Sequence, residues 1–241
     1  MSWITSDPYI RVLIWVAVLV VIGALLSVVN ALWLGVLDIS GTPRSQTNRD
    51  LLAAQNVLER NPDSADAWQT HLVYMIESGN LSEARHELDQ ARQRDLDVTQ
   101  GQQLLFVEAL IEKKSGRDKE AVVLFQQVAD SVMDFYTQER ERGSASRNWA
   151  LTYGLHKNYG LSLLEIAKCY LHRSEWEKAE ATLTLYLATY PTEAGVFVDR
   201  ANVRKELGDS KGAAQDYRKA LEFVPDFQEA IDGLKTLGEE R

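Results

Sequence analysis

Residues 160–193 read GLSLLEIAKCYLHRSEWEKAEATLTLYLATYPTE, and residues 194–227 read AGVFVDRANVRKELGDSKGAAQDYRKALEFVPDF. Ala179 in the first stretch recurs 34 residues later as Ala213 in the second, and a proline stands near the end of each stretch. Both contain two runs of apolar residues at helical spacing, joined by a short polar turn. Self-similarity at a fixed period of this length predicts helical hairpins stacked side by side.

Two weaker copies precede these stretches, at residues 65–98 and 102–135. They contain the segments GNLSEARHELDQA and GRDKEAVVLFQQV, in which glycine stands five residues before alanine. Glycine suits the positive φ that follows a helix C-terminus, and proline cannot continue a helix. The repeated unit is therefore predicted to be a helix, a turn, a second helix and a stop.

The recurring positions resemble those of the tetratricopeptide repeat (TPR) family. Its aromatic, glycine, small and proline positions are occupied by Trp68, Tyr170, Gly79, Gly116, Gly208, Ala84, Ala91, Ala121, Ala179, Ala213, Ala220, Pro191 and Pro225. Two departures stand at the family's usual Leu-Gly pair, where His71 precedes Leu72 and Arg200 precedes Ala201. The resemblance covers about residues 48–240. It implies a scaffold whose concave surface, lined by the first helix of each repeat, binds extended peptides or helices.

The fold class expected from these patterns is all-α: a single N-terminal transmembrane helix, an α-solenoid of about four TPR-like helical hairpins, and a C-terminal capping helix. The predicted divisions are an N-terminal tail at 1–11, a transmembrane helix at 12–37, a linker at 38–48 and a TPR-like domain at 49–241, with repeats at about 65–98, 102–135, 160–193 and 194–227, a lengthened helical pair at about 131–159 and a cap at 228–240. Ile231, Leu234 and Leu237 are expected to cover the last repeat.

The stretch from Val12 to Leu37 contains no charged residue. As a helix it would extend ~39 Å, which exceeds the ~30 Å hydrocarbon core of a bilayer. Trp15 and Trp33 stand near its two ends, where aromatic residues favour the membrane interface. The apolar core of a cleaved signal peptide is much shorter, so a lipid-embedded anchor is the favoured interpretation.

The side of the membrane is predicted less directly. Arg11 precedes the span, while Arg44 and Arg49 follow it, so the positive charges almost balance. A short N-terminal tail left in the cytoplasm is the common arrangement for such anchors. We therefore expect a single-pass protein of the bacterial cytoplasmic membrane. Both sides of the membrane stay open for the soluble domain, and the extracytoplasmic side is the favoured one.

Composition argues against several classes of function. The net charge is −9, and no basic stripe is present, so nucleic acid is not an expected partner. Cys169 is the single cysteine, which excludes an intrachain disulfide. The sequence contains no HExxH, CxxC, P-loop or GxSxG pattern. We therefore expect no catalytic residue, no metal site and no cofactor, and we predict that the protein is not an enzyme.

By resemblance to the TPR family, the concave groove is predicted to be lined by Gln69, Val73, Ile76, Phe106, Leu110, Leu161, Leu164, Lys168, Val198 and Asn202. This set is largely apolar and suits a partner helix or a hydrophobic segment. Family members that clamp chaperone C-terminal carboxylates need lysine and asparagine in the first repeat, where this chain has Gln69 and Val73. The alternative interpretation is that the groove is partly covered by the chain's own N-terminal helix or by a second copy.

A second contact surface is suggested by an insertion. Ala121 and Ala179 are 58 residues apart, which is 24 more than one repeat. The additional residues would lengthen two neighbouring helices and carry the aromatic residues Phe135, Tyr136, Trp149, Tyr153 and Tyr159. These aromatics either pack against one another or form a partner-specific surface.

The favoured function is a membrane-tethered scaffold or adaptor that holds a partner protein or complex near the bilayer. The alternative is a chaperone-like biogenesis factor for exported or membrane proteins, of the cytochrome c maturation or translocon-associated type. Homo-oligomerisation through the span is a third hypothesis, because Gly23 and Ser27 form a small-xxx-small pair.

Overall fold

The computed structural model describes residues 46–96, 100–141 and 155–238, and the regular structure in these ranges is α-helical. The helices are α1 Gln46–Arg60, α2 Ala65–Glu77, α3 Leu81–Arg92, α4 Gln100–Lys114, α5 Asp118–Glu141, α6 Leu155–His172, α7 Trp176–Thr189, α8 Ala194–Glu206, α9 Ser210–Phe223 and α10 Gln228–Thr236. The predicted all-α solenoid is thereby confirmed. None of these helices is long and apolar enough to cross a bilayer. The predicted transmembrane helix at 12–37 lies outside the described residues.

The chain divides into two units, Met1–Ala53 and Ala54–Arg241. In the first unit the described part is the N-terminal half of α1, which begins at Gln46 inside the predicted linker. There the Gln46 amide donates a 2.9 Å hydrogen bond to the Asp50 carboxylate, one helical turn away. The second unit contains the repeats.

Four helical hairpins build the second unit: α2 with α3, α4 with α5, α6 with α7, and α8 with α9. The first helix of a repeat also contacts the first helix of the next, as α2 does with α4 and α4 does with α6. The small residues in the first turn of each second helix are fully buried, as Ala84 and Ala213 show. Because alanine has so small a side chain, the helix axes can approach closely at these points.

The turn inside each hairpin repeats the same backbone geometry. In the first repeat Gly79 has φ of +89°, and the next residue, Asn80, donates its backbone N–H to the Met75 carbonyl at 3.0 Å. Gly116 and Gly208 have similar positive φ angles. This pattern satisfies the carbonyls left free at a helix C-terminus, so the predicted role of these glycines is confirmed.

Trp68 ties the first repeat to the chain that precedes it. Its side chain is buried, and the indole Nε1 donates a 2.9 Å hydrogen bond to the Pro62 carbonyl. Ser64 caps α2, because its hydroxyl accepts a hydrogen bond from the backbone N–H of Ala67 at 3.3 Å. The start of α2 is therefore set by both local capping and burial of an aromatic ring.

The last repeat is covered by α10. Leu234 is buried, and Ile231 and Leu237 pack against the same core, as predicted for the cap. Gly233 faces the ring of Tyr217, and a Cβ atom at this position would overlap that ring. Close approach of α10 to α9 therefore requires glycine here.

The second hairpin ends with a long helix, α5, and the third hairpin begins with another, α6. Helix α5 has 24 residues and α6 has 18, whereas α7, α8 and α9 have 13 or 14. Helix α6 begins at Leu155, five residues before the predicted repeat, and α5 continues to Glu141. Both helices are therefore longer than a 34-residue repeat requires.

Candidate partner-binding surface

Half of the predicted groove residues are buried. They are Gln69, Ile76, Phe106, Leu110 and Val198. The Phe106 ring packs edge-on against Phe125 of α5, with centroids 5.4 Å apart, so it belongs to the core of its own repeat. In the second repeat, the groove positions Phe106 and Leu110 on α4 therefore face the core and are not accessible to a partner.

The remaining predicted groove residues are accessible in different degrees. Lys168 and Asn202 are exposed, whereas Val73, Leu161 and Leu164 are half-buried. Lys168 of α6 lies 2.7 Å from the Glu165 carboxylate, and Asn202 of α8 accepts a hydrogen bond from the Tyr217 hydroxyl. The accessible part of the concave face is therefore more polar than predicted.

Asp199 adds a negative charge to this accessible part. Although part of its surface is exposed, desolvation by neighbouring groups raises the pKa of its carboxylate. Lys168 opposes that rise by attraction, and Glu229 reinforces it by repulsion. These residues lie on α6, α8 and α10, so the first helices of the last two repeats and the capping helix carry charges that act on one carboxylate. We call Lys168, Asp199, Asn202 and Glu229 the open section.

The face formed by the earlier repeats is closed by contacts between first helices. The Gln69 amide of α2 donates a hydrogen bond to the Asn158 side-chain oxygen of α6 at 3.1 Å, and both residues are buried. Lys113 of α4 forms an ion pair with Glu165 of α6. Burial would raise the pKa of Glu165, but hydrogen bonds from Lys113 and Lys168 lower it overall.

The two departures from the family pattern carry polar networks. Arg200 of α8 makes two hydrogen bonds to the buried Asp216 carboxylate of α9, at 2.8 and 2.7 Å. Arg204 bridges the same carboxylate at 3.0 Å and Glu180 of α7 at 2.9 Å. In the first repeat His71 stands at the place of Arg200 and contacts the Glu87 carboxylate at 2.9 Å.

Both contacts therefore join residues 16 apart in the chain, from the first helix to the second. A further buried carboxylate, Glu112, is paired with Arg117 and Arg85, and the Arg117 hydrogen bond is the main reason that its pKa is lowered. The sequence shows the residue changes but does not directly show these partners. The pattern that could have predicted them is a charged or titratable residue on the first helix with an acidic residue 16 positions later.

The predicted second surface is described in part. Tyr159 is buried, and Phe135 packs against the same core. The Tyr159 hydroxyl forms a hydrogen bond with Thr189, although burial raises its pKa overall. Trp149 and Tyr153, like the side chain of Tyr136, lie outside the described part of the chain. The two described aromatics thus contribute to packing between α5, α6 and α7.

The described ranges show neither a candidate metal cluster nor an activated cysteine thiol. Groups of three or more histidine, cysteine, aspartate or glutamate side chains that could hold a metal ion do not occur there. Cys169 is buried, and desolvation raises the pKa of its thiol to about 11. A thiol with such a pKa is almost entirely protonated at neutral pH and is a poor nucleophile.

A sequence model of the tetratricopeptide repeat matches residues 161–192, which are the hairpin of α6 and α7. This hairpin is a tetratricopeptide repeat. The TPR hairpin identified in this way has the same internal turn as the other three hairpins, with a backbone hydrogen bond from Glu175 to Tyr170 at 2.9 Å. A search of the curated proteins found none that matches the sequence.

Several solved structures are similar to this TPR chain at low identity. YrrB, described as a TPR protein with an unusual peptide-binding site, is 15% identical, with a TM-score of 0.49, over 79% of this chain and 84% of that one. BtubC from P. vanneervenii is 13% identical, with a TM-score of 0.48, over 80% and 87% of the two chains. The TPR2AB domain of yeast Sti1 in complex with pHSP90 is 19% identical, with a TM-score of 0.32, over 80% and 76%.

Proposed function

We propose that this TPR protein is a membrane-tethered scaffold that holds a partner protein near the bilayer. TPR proteins bind protein or peptide partners, and the open section gives this chain an accessible concave surface for one. The tether is the charge-free stretch from Val12 to Leu37. The observation that carries the proposal is that Lys168, Asp199 and Glu229, all exposed, influence one another from the first helices of the last two repeats and from the capping helix.

The composition of the open section indicates the class of partner. The open section carries charges of both signs. On α6, the half-buried side chains of Leu161 and Leu164 lie two turns and one turn before Lys168. A short segment that presents apolar side chains together with charged ones would be complementary to such a surface. We further propose that this section faces the extracytoplasmic side, because short N-terminal tails commonly stay in the cytoplasm.

Site-specific crosslinking in native membranes tests the scaffold. A photoreactive amino acid would replace Asn202 of the full chain in the open section, and a matched variant would carry it at Gln215, an exposed position on α9. We expect one defined protein to be captured at position 202 and not at 215. Capture of the same proteins at both positions would refute a specific concave site.

Two further outcomes separate the alternatives. Capture of many unrelated proteins at position 202 would replace the scaffold with a chaperone-like biogenesis factor. Capture of this protein alone would replace it with self-association.

A further inference from the structure

One hydrogen bond connects repeats that are not neighbours. Helix α4 contacts both α2 and α6, so it lies between them in the layer of first helices. The bond from Gln69 to Asn158 joins α2 directly to α6, across 89 residues of sequence. The two side chains therefore meet in a buried position although their helices belong to the first and third repeats. Asn158 can take part because α6 starts five residues before the TPR repeat that contains it.

Two buried polar side-chain oxygens, one on α6 and one on α4, lack hydrogen-bond partners. Ser162 lies one turn after Asn158 on the same face of α6, is fully buried, and its hydroxyl oxygen has no hydrogen-bond partner. Gln103 of α4 is also buried, and its side-chain oxygen likewise has none. A buried acceptor without a partner is expensive, so this closed arrangement is less stable than its packing alone suggests.

We propose that the Gln69–Asn158 hydrogen bond is a clasp that closes the concave face over the second repeat. Opening the clasp separates α6 from α2 and gives access to an uncharged polar stretch of the groove. That stretch contains Gln69, Gln103, Asn158 and Ser162. The inference rests on the proposed function, because it specifies how the same groove is extended when a partner binds.

The chemistry of this stretch favours one class of ligand. The Gln103 side-chain oxygen is a hydrogen-bond acceptor, and the Ser162 hydroxyl can accept as well as donate, so a ligand that supplies donors satisfies both. None of the four residues is charged. An extended peptide segment supplies backbone N–H groups at regular intervals. Such a segment binds the open state better than the closed one, and this difference in affinity is what shifts the equilibrium.

Amide hydrogen exchange on the full chain in mild detergent tests the clasp without any partner. Gln69→Ala and Asn158→Ala each remove one half of the hydrogen bond. We expect amides of α4 between Gln103 and Leu110 to exchange about fivefold to tenfold faster in either variant. The double variant should exchange no faster than the single ones, because both substitutions remove one interaction. Asp66→Ala and Lys157→Ala are the matched controls at exposed positions of the same two helices and should leave α4 unchanged.

Three results would overturn the clasp. The first is unchanged exchange in α4 of both variants. The second is an equal acceleration in α9, which would show that the pair only stabilises the fold. The third is additive acceleration in the double variant. Because the measurement contains no partner, it can succeed even when crosslinking at position 202 fails, so the two proposals are judged separately.

Discussion

Ser174 occupies the turn position that glycine holds in the other three repeats. Its φ is 55°, in the left-handed region, where a side chain clashes with the backbone. Replacement by glycine should remove this strain, and the added freedom of the unfolded chain offsets part of the gain. We expect Ser174→Gly to raise the free energy of unfolding by about 0.5–1 kcal/mol. Urea denaturation of the full chain in mild detergent measures this.

The reverse substitution, at the equivalent turn of the fourth repeat, is the control. Gly208 has φ of +79° in the fourth repeat, and Gly208→Ser should lower stability by about 1 kcal/mol. If both substitutions had the same sign, the backbone explanation would be wrong.

Asp216 is the residue on which the fourth repeat's charges converge. Removing its carboxylate would leave Arg200 and Arg204 without their shared partner in a largely buried setting. We expect Asp216→Ala to lower the free energy of unfolding by about 3–5 kcal/mol. The exposed pair of Lys219 and Glu222 is the comparison, because Glu222→Gln should change stability by less than about 1 kcal/mol. Thermal unfolding of the two variants side by side would show the contrast, and equal effects would contradict it.

Residue patterns in the sequence predict the backbone conformation of this chain. They do not predict which polar side chains pair with each other. The glycine and alanine positions follow from local geometry, since a turn requires positive φ and a close helix pair requires small residues. The pairing of Arg200 with Asp216 depends on how far two helices are rotated toward each other. Periodicity contains no such information. The resemblance to the TPR family, which predicts Phe106 in the groove, likewise does not indicate that its ring packs against Phe125.

At the scale of elements, the contact between α4 and α6 makes stability depend on pH. In the folded state the pKa of Glu165 is below its ordinary value of 4.5, chiefly because hydrogen bonds from Lys113 and Lys168 outweigh burial. A carboxylate with a lowered pKa stabilises the fold above the unfolded pKa and loses this contribution as the pH falls through the folded one.

We therefore expect Glu165→Gln to be less stable than wild type by about 1–3 kcal/mol at pH 7. That difference should shrink as the pH falls below 4.5, where the wild-type carboxylate becomes protonated too. Chemical denaturation at a series of pH values measures it. A difference that stayed constant down to pH 2 would exclude the ion pair as its origin.

The contact of α10 with α9 depends on Gly233. A valine at this position would collide with the Tyr217 ring, so Gly233→Val should separate the two helices and lower stability by about 1–3 kcal/mol. Gly195 of α8 has open space around it, and Gly195→Ala should instead stabilise its helix by up to about 1 kcal/mol. Helix-resolved hydrogen exchange would locate the first effect in α10, and no local change there would contradict the packing argument.

At the scale of the whole molecule, Cys169 decides how the proposed orientation can be tested. Its thiol is buried and protonated, so a membrane-impermeant maleimide should not label the wild-type chain in intact cells. Gln215→Cys places a thiol on an exposed part of α9. Labelling of that variant in intact cells is expected for an extracytoplasmic domain, and labelling only after lysis would reverse the orientation.

The packing of α10 on Tyr217 affects whether copies of the chain can stack end to end. A stack of repeats has no intrinsic last member, because each hairpin presents a surface that another hairpin can extend. Contact between the final hairpin of one molecule and the first of the next would be head-to-tail, and such contacts generate open filaments when they do not close. Helix α10, seated on the Tyr217 ring through Gly233, blocks that addition. Its loss would expose an end to which further chains can add, and chains held at a bilayer by the proposed tether would then grow into linear clusters.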